Sequence, residues 1–351
     1  MRHNECLTAV RAIAALTVFV SHAANDGLLP GVLGNGLGQN GVMLFFMLSG
    51  YLMASLYGGV RPTGDAVAGY ALRRVARVVP LYLAVLAASA VLTVVGAAGW
   101  RYQLEGATLA EALLLVRAPF ELWSIPVEIH YYLAFVLLWP ATERSGRPLA
   151  VYGIVAVGAL ALALGLLATG LRGPWLPFHA LPFLIGGALA SIERTTMFVR
   201  VFGGRHATLV GIAALALFAL NLPALRLELG LSAGGWMTRT WLDPINIAST
   251  TLLLCVAVAR SKALRVLCVT PVLLLGEVSY GFYLFHRPIM EFVISLGCDR
   301  LVPGLSLALV TTMTLSLAVV SFRLFEVPAA QRLRACAISL RLRPTMTPRH
   351  A

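Results

Sequence analysis

Ten apolar runs, each long enough to cross a bilayer, occupy nearly the whole sequence. They fall at 7–24, 41–58, 78–97, 120–140, 149–170, 178–192, 207–225, 242–260, 270–297 and 304–326. A backbone in lipid must satisfy its own hydrogen bonds, so apolar runs of this length predict helices. We therefore expect an all-α fold, a polytopic integral membrane bundle of about ten transmembrane helices. The sixth run is short, and a re-entrant segment is the alternative for it.

The composition also indicates an integral membrane protein. Hydrophobic residues make up 59% of the 351 residues and charged residues only 12%, far from the usage of soluble domains. Ten helices with short loops use up this length, which predicts one integral membrane domain at 1–330 and a basic cytoplasmic tail at 331–351. The cysteines show no ligand spacing and are expected in the core, with no metal site. They are Cys6, Cys255, Cys268, Cys298 and Cys336.

The positive charge of the chain, +12 overall, is distributed unevenly. If the N-terminus is cytoplasmic, the inner loops and tails hold most of the lysines and arginines. The positive-inside rule then places both termini in the cytoplasm, and no nucleic-acid partner is needed to explain the charge. The Arg-rich tail can also touch anionic lipid. A cleaved signal peptide at 7–24 is the competing interpretation, but Arg11 interrupts the apolar stretch and no clear cleavage site follows.

Ionisable residues inside apolar runs are costly and often mark function. In the first run Arg11 and His22 are eleven residues apart, so they share one helix face about 16 Å apart along the axis. A guanidinium there can hold an anionic ligand, and an imidazole can remove a proton from a hydroxyl. Alternatively, Arg11 reaches the inner surface and His22 sits at the outer interface without a catalytic role.

Three arginines stand before the third run, at Arg73, Arg74 and Arg77. Arg73 and Arg77 are at i and i+4, so one helical turn aims them together. Such a pair can grip a phosphate or pyrophosphate at the cytoplasmic surface. Alternatively, the three arginines only anchor this loop at the cytoplasmic surface, in agreement with the positive-inside rule.

Two later runs carry further polar groups. Glu128 lies about two turns into the fourth run, where it can orient or charge-stabilise His22, or accept a proton, if the two helices pack together. A structural hydrogen bond between helices is the alternative. In the ninth run Tyr283 and His286 can share a face and contact a substrate. For His286 the alternative is a histidine that is satisfied within the bundle. Pro288 predicts a kink or break there.

Taken together, these segments resemble the integral-membrane acyltransferase-3 family, whose members O-acylate exopolysaccharides, O-antigens, nodulation lipo-oligosaccharides and some antibiotics. The similarity runs in the family's order from residue 7 to about 328 and rests on six motifs. These are RAIAALTVFVSH at 11–22, GVMLFFMLSGYLM at 41–53, RRVARVVPLY at 73–82, LWSIPVEIHYYL at 122–133, SYGFYLFHRPI at 279–289 and FEVP at 325–328.

The resemblance implies roles at matching positions. It makes Arg11 and His22 essential, with His22 the favoured catalytic residue, and associates the arginines of RRVAR with binding acyl-coenzyme A. The glutamate of its W-S-x-x-V-E segment corresponds to Glu128. The chain departs from the family at Ile129 and Met43, where an acidic residue is common, which weakens any inference about the acceptor.

A membrane-bound O-acyltransferase, by default an O-acetyltransferase of the plasma or bacterial inner membrane, is therefore the expected function. Its donor would be acetyl-coenzyme A, used as a substrate rather than a resident cofactor, and its acceptor a carbohydrate or glycolipid. Polysaccharide-assembly proteins are possible partners. A transporter or flippase is the alternative, because buried His, Arg and Glu also suit a solute path. A structural subunit of an export complex is a third possibility.

Overall fold

The protein is described from a computed structural model that covers residues 4–96, 100–171, 173–231, 241–297 and 303–339. Within these ranges the chain is helices and loops without a strand, so the all-α prediction is confirmed. The helices are α1 (Glu5–Asn25), α2 (Gly38–Tyr57), α3 (Gly64–Val94), α4 (Gly106–Leu113), α5 (Ser124–Ser145), α6 (Pro148–Ala168), α7 (Leu176–Ile192), α8 (Thr196–Gly203), α9 (Ala207–Ala219), α10 (Pro223–Glu228), α11 (Pro244–Val258), α12 (Lys262–Arg265), α13 (Thr270–Glu277), α14 (Ser279–Ser295), α15 (Pro303–Ser321) and α16 (Val327–Ser339).

Six segments of the described chain are helical, long and apolar enough to cross a membrane. They are Glu5–Asn25, Gly31–Tyr57, Gly64–Val94, Phe120–Ser145, Pro148–Ala168 and Gly304–Leu333. A seventh results if α7 and α8, which meet at 102°, count as one broken span. α9 and α11 are apolar but shorter. The count of ten and the cytoplasmic termini therefore stay predictions, and Cys298 and positions 340–351 of the predicted tail lie outside the described residues.

The ninth apolar run, predicted over 270–297 with a kink or break at Pro288, is divided into two helices at a different position. α13 ends at Glu277, Val278 leaves helical geometry with ψ of 9°, and α14 begins at Ser279. Gly276 lies directly against the backbone carbonyl of Thr8, where any Cβ would collide. The break therefore occurs where the chain crosses α1 at close range.

Pro288, where a kink was expected, lies inside an unbroken α14. A proline has no N–H for the carbonyl four residues earlier, here that of Leu284. The hydroxyl of Tyr102 donates to this carbonyl at 3.0 Å. A side chain from another part of the bundle thus satisfies the freed backbone group, as a proline inside a membrane helix requires.

Helix α1 lies in the interior of the bundle, where it packs against α2, α11, α13 and α14. Glycines allow its neighbours to approach closely: Gly41 of α2 lies against the carbonyl of Ala14. The α2–α7 crossing uses the same device, with Gly186 against the carbonyl of Met47. In contrast, α6 turns most of its surface outward. This arrangement places Arg11 and His22, the two residues of α1 that the sequence singled out, inside the protein.

Candidate functional site

Three cavities follow one another through the bundle. The first, the histidine cavity, has a volume of about 1040 Å³ and is bordered by His22, Glu121, Trp123, His179, Trp241 and Tyr283, among others. The second, the central cavity, is only about 70 Å³ and is bordered by Ser49, Ser124, Glu128 and Ser279, among others. The third, the arginine cavity, has about 620 Å³ and is bordered by Arg11, Arg73, Arg74, Arg77, Glu277 and Glu326, among others.

Neighbouring cavities share wall residues. Val42 and Tyr283 border both the histidine cavity and the central cavity. Four residues border both the central cavity and the arginine cavity, namely Arg11, Arg74, Arg77 and Tyr280. The cavities therefore form a line that is wide at both ends and narrow in the middle.

The arginine cavity brings together all four arginines that the sequence singled out. Arg73 donates from Nε to the hydroxyl of Tyr57 at 2.8 Å. Arg74 is buried, with its guanidinium 6.0 Å from the ring centre of Tyr70 and 5.8 Å from that of Tyr132. Arg77, in contrast, is exposed. Four guanidinium groups face two carboxylates here, which favours an anionic ligand.

Arg11 links this cavity to the helix break. Its Nη2 donates to the hydroxyl of Ser279 at 3.0 Å, at the first residue of α14. Because Arg11 also borders the central cavity, it lies where the wide arginine cavity narrows.

Glu128 borders the central cavity and is held by two hydroxyls. Ser49 donates to its Oε1 at 2.5 Å and Tyr132 to the same oxygen at 2.6 Å. The sequence suggested that this carboxylate stabilises His22, but the carboxylate that faces His22 is that of Glu121. Glu128 instead lies between the two polar ends of the path.

His22 projects into the histidine cavity near the C-terminal end of α1. Its Nε2 lies 3.9 Å from Oε1 of Glu121, and its side chain is 26% exposed. The ring of His286 stacks obliquely against it, with centroids 5.3 Å apart. The imidazole is thus accessible to a ligand on one side and faces a carboxylate on another.

Glu121 belongs to a charge cluster, the outer network, that comprises Asp26, Arg101, Glu121, Arg287 and Glu291. Arg287 lies 3.4 Å from Glu121, 2.8 Å from Glu291, and in contact with Asp26. Arg101 lies 3.4 Å from Glu121 and 2.9 Å from Glu291. Burial opposes the charge of Arg101, but the two glutamates outweigh it and raise the pKa of the guanidinium. Three carboxylates face two guanidinium groups, so a protonated His22 would balance the cluster.

Tyr283 and His286, the two predicted substrate contacts, have different positions. The hydroxyl of Tyr283 donates to the backbone carbonyl of Glu121 at 2.7 Å and accepts from Ser124 at 3.0 Å, and the residue borders two cavities. His286 is buried, with Nδ1 2.6 Å from the carbonyl of Tyr283. Its Nε2 has no hydrogen-bond partner in the described part of the chain. It therefore supports the ring of His22, and Tyr283 is the better placed of the two for a substrate.

Two members of the outer network, Arg287 and Glu291, were expected to pair from their spacing of four residues, and they lie 2.8 Å apart. The other three members were not predicted from sequence. Asp26 follows His22 by four residues, so helical spacing alone could have indicated it. Glu121 directly precedes the LWS motif and could have been considered with it. Arg101 lies in the loop after α3, and nothing in its local sequence marks it.

A resident metal was not expected. Among the described residues, no group of three or more His, Cys, Asp or Glu side chains could hold a metal ion. Cys6 and Cys268 lie with sulfur atoms 3.7 Å apart, away from the three cavities.

The helical bundle and its line of cavities define a membrane protein with an arginine-lined end and a histidine-lined end. The sequence matches the family described as an acyltransferase domain over residues 4–323, which is nearly the whole chain. The protein therefore belongs to the integral-membrane acyltransferase-3 family, as its motifs predicted. No curated protein and no solved structure matches it in the other two comparisons.

Proposed function

We propose that the protein is a membrane-bound O-acyltransferase, by default an O-acetyltransferase, that moves an acyl group from acyl-coenzyme A to a carbohydrate hydroxyl. The observation that carries this proposal is the line of three cavities between the arginines and His22. Membership in an acyltransferase family supports an enzyme in general. The donor, acceptor and residue roles below are our proposal.

The donor would enter at the arginine cavity. Coenzyme A carries several phosphate groups, and arginine pairs with phosphate through two parallel hydrogen bonds. Arg73, Arg74, Arg77 and Arg11 would hold these phosphates, with the mobile contact made by the exposed Arg77. The narrow pantetheine arm would then pass through the central cavity, whose hydroxyls suit its amide groups. Arg11 and His22 are about 16 Å apart along α1, which sets the distance to be bridged.

Transfer would take place at His22. The imidazole removes the proton from an acceptor hydroxyl as its oxygen attacks the thioester carbonyl carbon. The carbon–sulfur bond then breaks, and the leaving thiolate takes up the proton from His22. Glu121 and the outer network stabilise the transient imidazolium. In a variant of this scheme the histidine nitrogen itself takes the acyl group before the hydroxyl attacks.

The basic arginine cavity would face the cytoplasm, where acyl-coenzyme A is available, and the histidine cavity would face the outer side of the plasma membrane. This orientation follows from the positive-inside pattern of the sequence. A transporter would also need a path through the bundle, and it remains the alternative function. It differs in that transport does not consume the thioester.

The test uses matched membranes that contain the intact protein or the His22→Ala variant, supplied with acetyl-coenzyme A labelled in the acetyl group. Base-labile label on extracted glycans and lipid-linked saccharides, present with the intact protein and absent with His22→Ala, is the expected result. Equal labelling by His22→Ala would overturn the role of His22. Absence of thioester consumption with glycans from the native host would favour the transporter instead.

A further inference from the structure

One wall of the histidine cavity is aromatic. The ring centroids of Trp123 and His179 are 4.8 Å apart, those of His179 and Trp241 are 4.8 Å apart, and those of the two tryptophans are 5.6 Å apart. Phe46 packs behind all three and is itself buried. We call Trp123, His179 and Trp241 the aromatic wall. Its members come from three distant parts of the sequence, so only the fold brings them together.

The aromatic wall combines the half-buried ring of Trp123 with the more deeply buried rings of His179 and Trp241, and it carries hydrogen-bonding groups that the protein does not use. Neither indole N–H of Trp123 or Trp241 has a hydrogen-bond partner in the described part of the chain, and both residues border the cavity. His179 uses Nδ1 to contact the carbonyl of Trp175 at 3.0 Å and leaves Nε2 unused. None of these three nitrogen atoms is among the enclosed polar atoms of the described chain that lack a partner, so each can reach a molecule in the cavity. A ligand with both C–H faces and hydroxyls would supply a polar partner for them.

The other polar side chains of this cavity are mainly neutral. Ser21, Asn25 and Gln39 border it, together with the carboxylate of Glu121 and the imidazole of His22. No lysine or arginine borders it among the described residues. The arginine cavity has four guanidinium groups, so the two ends of the path differ sharply in charge. The histidine cavity is therefore unsuited to a phosphate-rich ligand and suited to a neutral polyhydroxyl compound.

Its volume adds a further constraint. About 1040 Å³ lies at the upper end of the roughly 300–1,000 Å³ typical of small-molecule sites. The acyl group and one hydroxyl need only a small part of this space. The remainder is large enough for more than one sugar ring beside His22.

We propose that the aromatic wall is the acceptor subsite, on which the C–H face of a neutral pyranose ring stacks while a neighbouring hydroxyl faces His22. This inference rests on the proposed function and specifies where its acceptor binds. The electron-rich face of an aromatic ring attracts the weakly positive C–H groups of a sugar. The free N–H groups donate to the sugar hydroxyls and fix the orientation of the ring.

The experiment measures binding without turnover. The full-length His22→Ala protein in detergent micelles is mixed with methyl glycosides of glucose, galactose, rhamnose and N-acetylglucosamine, and saturation-transfer difference NMR reports which sugar protons contact the protein. We expect signal from the C–H protons of one ring face for at least one glycoside. Trp123→Leu and Trp241→Leu should each weaken that binding about ten-fold, the value of one aromatic contact of about 1.4 kcal/mol.

Trp139→Phe is the matched control, because Trp139 is fully buried, donates to the carbonyl of Val60 and does not border the histidine cavity. It should retain the sugar signal. Trp123→Phe, which keeps a ring but loses the N–H, provides a milder variant if the leucine variants do not elute as folded protein. Contacts spread over all sugar protons, no signal from any glycoside, or undiminished signal in the wall variants would each overturn the subsite.

The acetyl-transfer assay separates this result from the proposed function. If His22-dependent transfer occurs and the wall variants bind and saturate with acceptor like the intact protein, only the acceptor subsite is wrong. If the sugar binds to the wall but no thioester is consumed, the subsite stands and the acyltransferase proposal fails.

Discussion

Nε2 of His22 lies 3.9 Å from the carboxylate of Glu121, a residue that also pairs with Arg101 and Arg287, each at 3.4 Å. Glu121 is almost fully buried, with 8% of its side chain exposed. A charge in this position is fixed before the reaction begins, so stabilising an imidazolium requires no rearrangement. Through Glu121, the ring nitrogen of His22 is therefore linked to Arg101 in the loop after α3 and to Arg287 in α14.

Glu121→Gln should therefore lower kcat by about 100-fold, within the usual contribution of acid–base catalysis, with little change in the KM of acyl-coenzyme A. Glu121→Asp should restore part of the rate, because it returns the charge. Steady-state kinetics on purified protein provide the measurement. Glu291→Gln is the matched control: Glu291 pairs with the same two arginines, but His22 is not among its contacts. Equal losses of kcat in Glu121→Gln and Glu291→Gln would show that the network acts only through folding.

Arg77→Gln should affect the donor rather than the chemistry. The side chain borders the arginine cavity and is exposed, so its charge is available to a phosphate. Loss of one charge-assisted hydrogen bond is worth about 1.5–3 kcal/mol, which predicts a KM for acyl-coenzyme A raised about 10- to 100-fold. The KM of the intact protein should also rise with salt, and that of the variant less steeply. Arg117→Gln is the control, since Arg117 pairs with Glu111 outside the three cavities. A change confined to kcat would argue against phosphate binding by Arg77.

The helix crossings should be sensitive to one added methyl group. Gly186→Ala places a Cβ against the backbone of Met47 and Tyr51, which cannot move aside as a side chain can. Overpacking of this kind costs about 1–3 kcal/mol, so the thermal unfolding temperature in micelles should fall. Gly153→Ala in α6 is the control, because nothing lies within 4 Å of the added Cβ and alanine favours a helix. Similar unfolding temperatures for the two variants would contradict the close approach of α2 and α7.

Much of the site was predictable because it depends on local geometry. Helical periodicity alone placed Arg11 and His22 on one stripe, and Arg73 near Arg77. The pairing of His22 with Glu121 rather than Glu128 was not predictable, because it depends on where the short turn Phe120–Trp123, which precedes α5, lies relative to α1. Periodicity specifies which residues share a face but not which neighbouring helix that face meets.

The interrupted ninth run shows the same limit for the fold. The run at 270–297 is mainly apolar, and Pro288 was the residue from which the sequence predicted a kink or break. The break occurs instead at Val278, beside the contact of Gly276 with Thr8. The cause of the break lies in the neighbouring helix α1. The hydropathy of one run does not show which helix packs against it.

The bond between Tyr102 and the carbonyl of Leu284 explains how α14 stays continuous and predicts a non-additive pair of mutations. Tyr102→Phe leaves that buried carbonyl without a donor and should cost about 1–3 kcal/mol of unfolding free energy. In a Pro288→Ala background the alanine N–H can serve the carbonyl, so the same Tyr102→Phe change should cost less. Unfolding of the four proteins in one denaturant series gives the coupling energy between the two positions. Equal costs of Tyr102→Phe in both backgrounds would mean that the hydroxyl does not compensate for the proline.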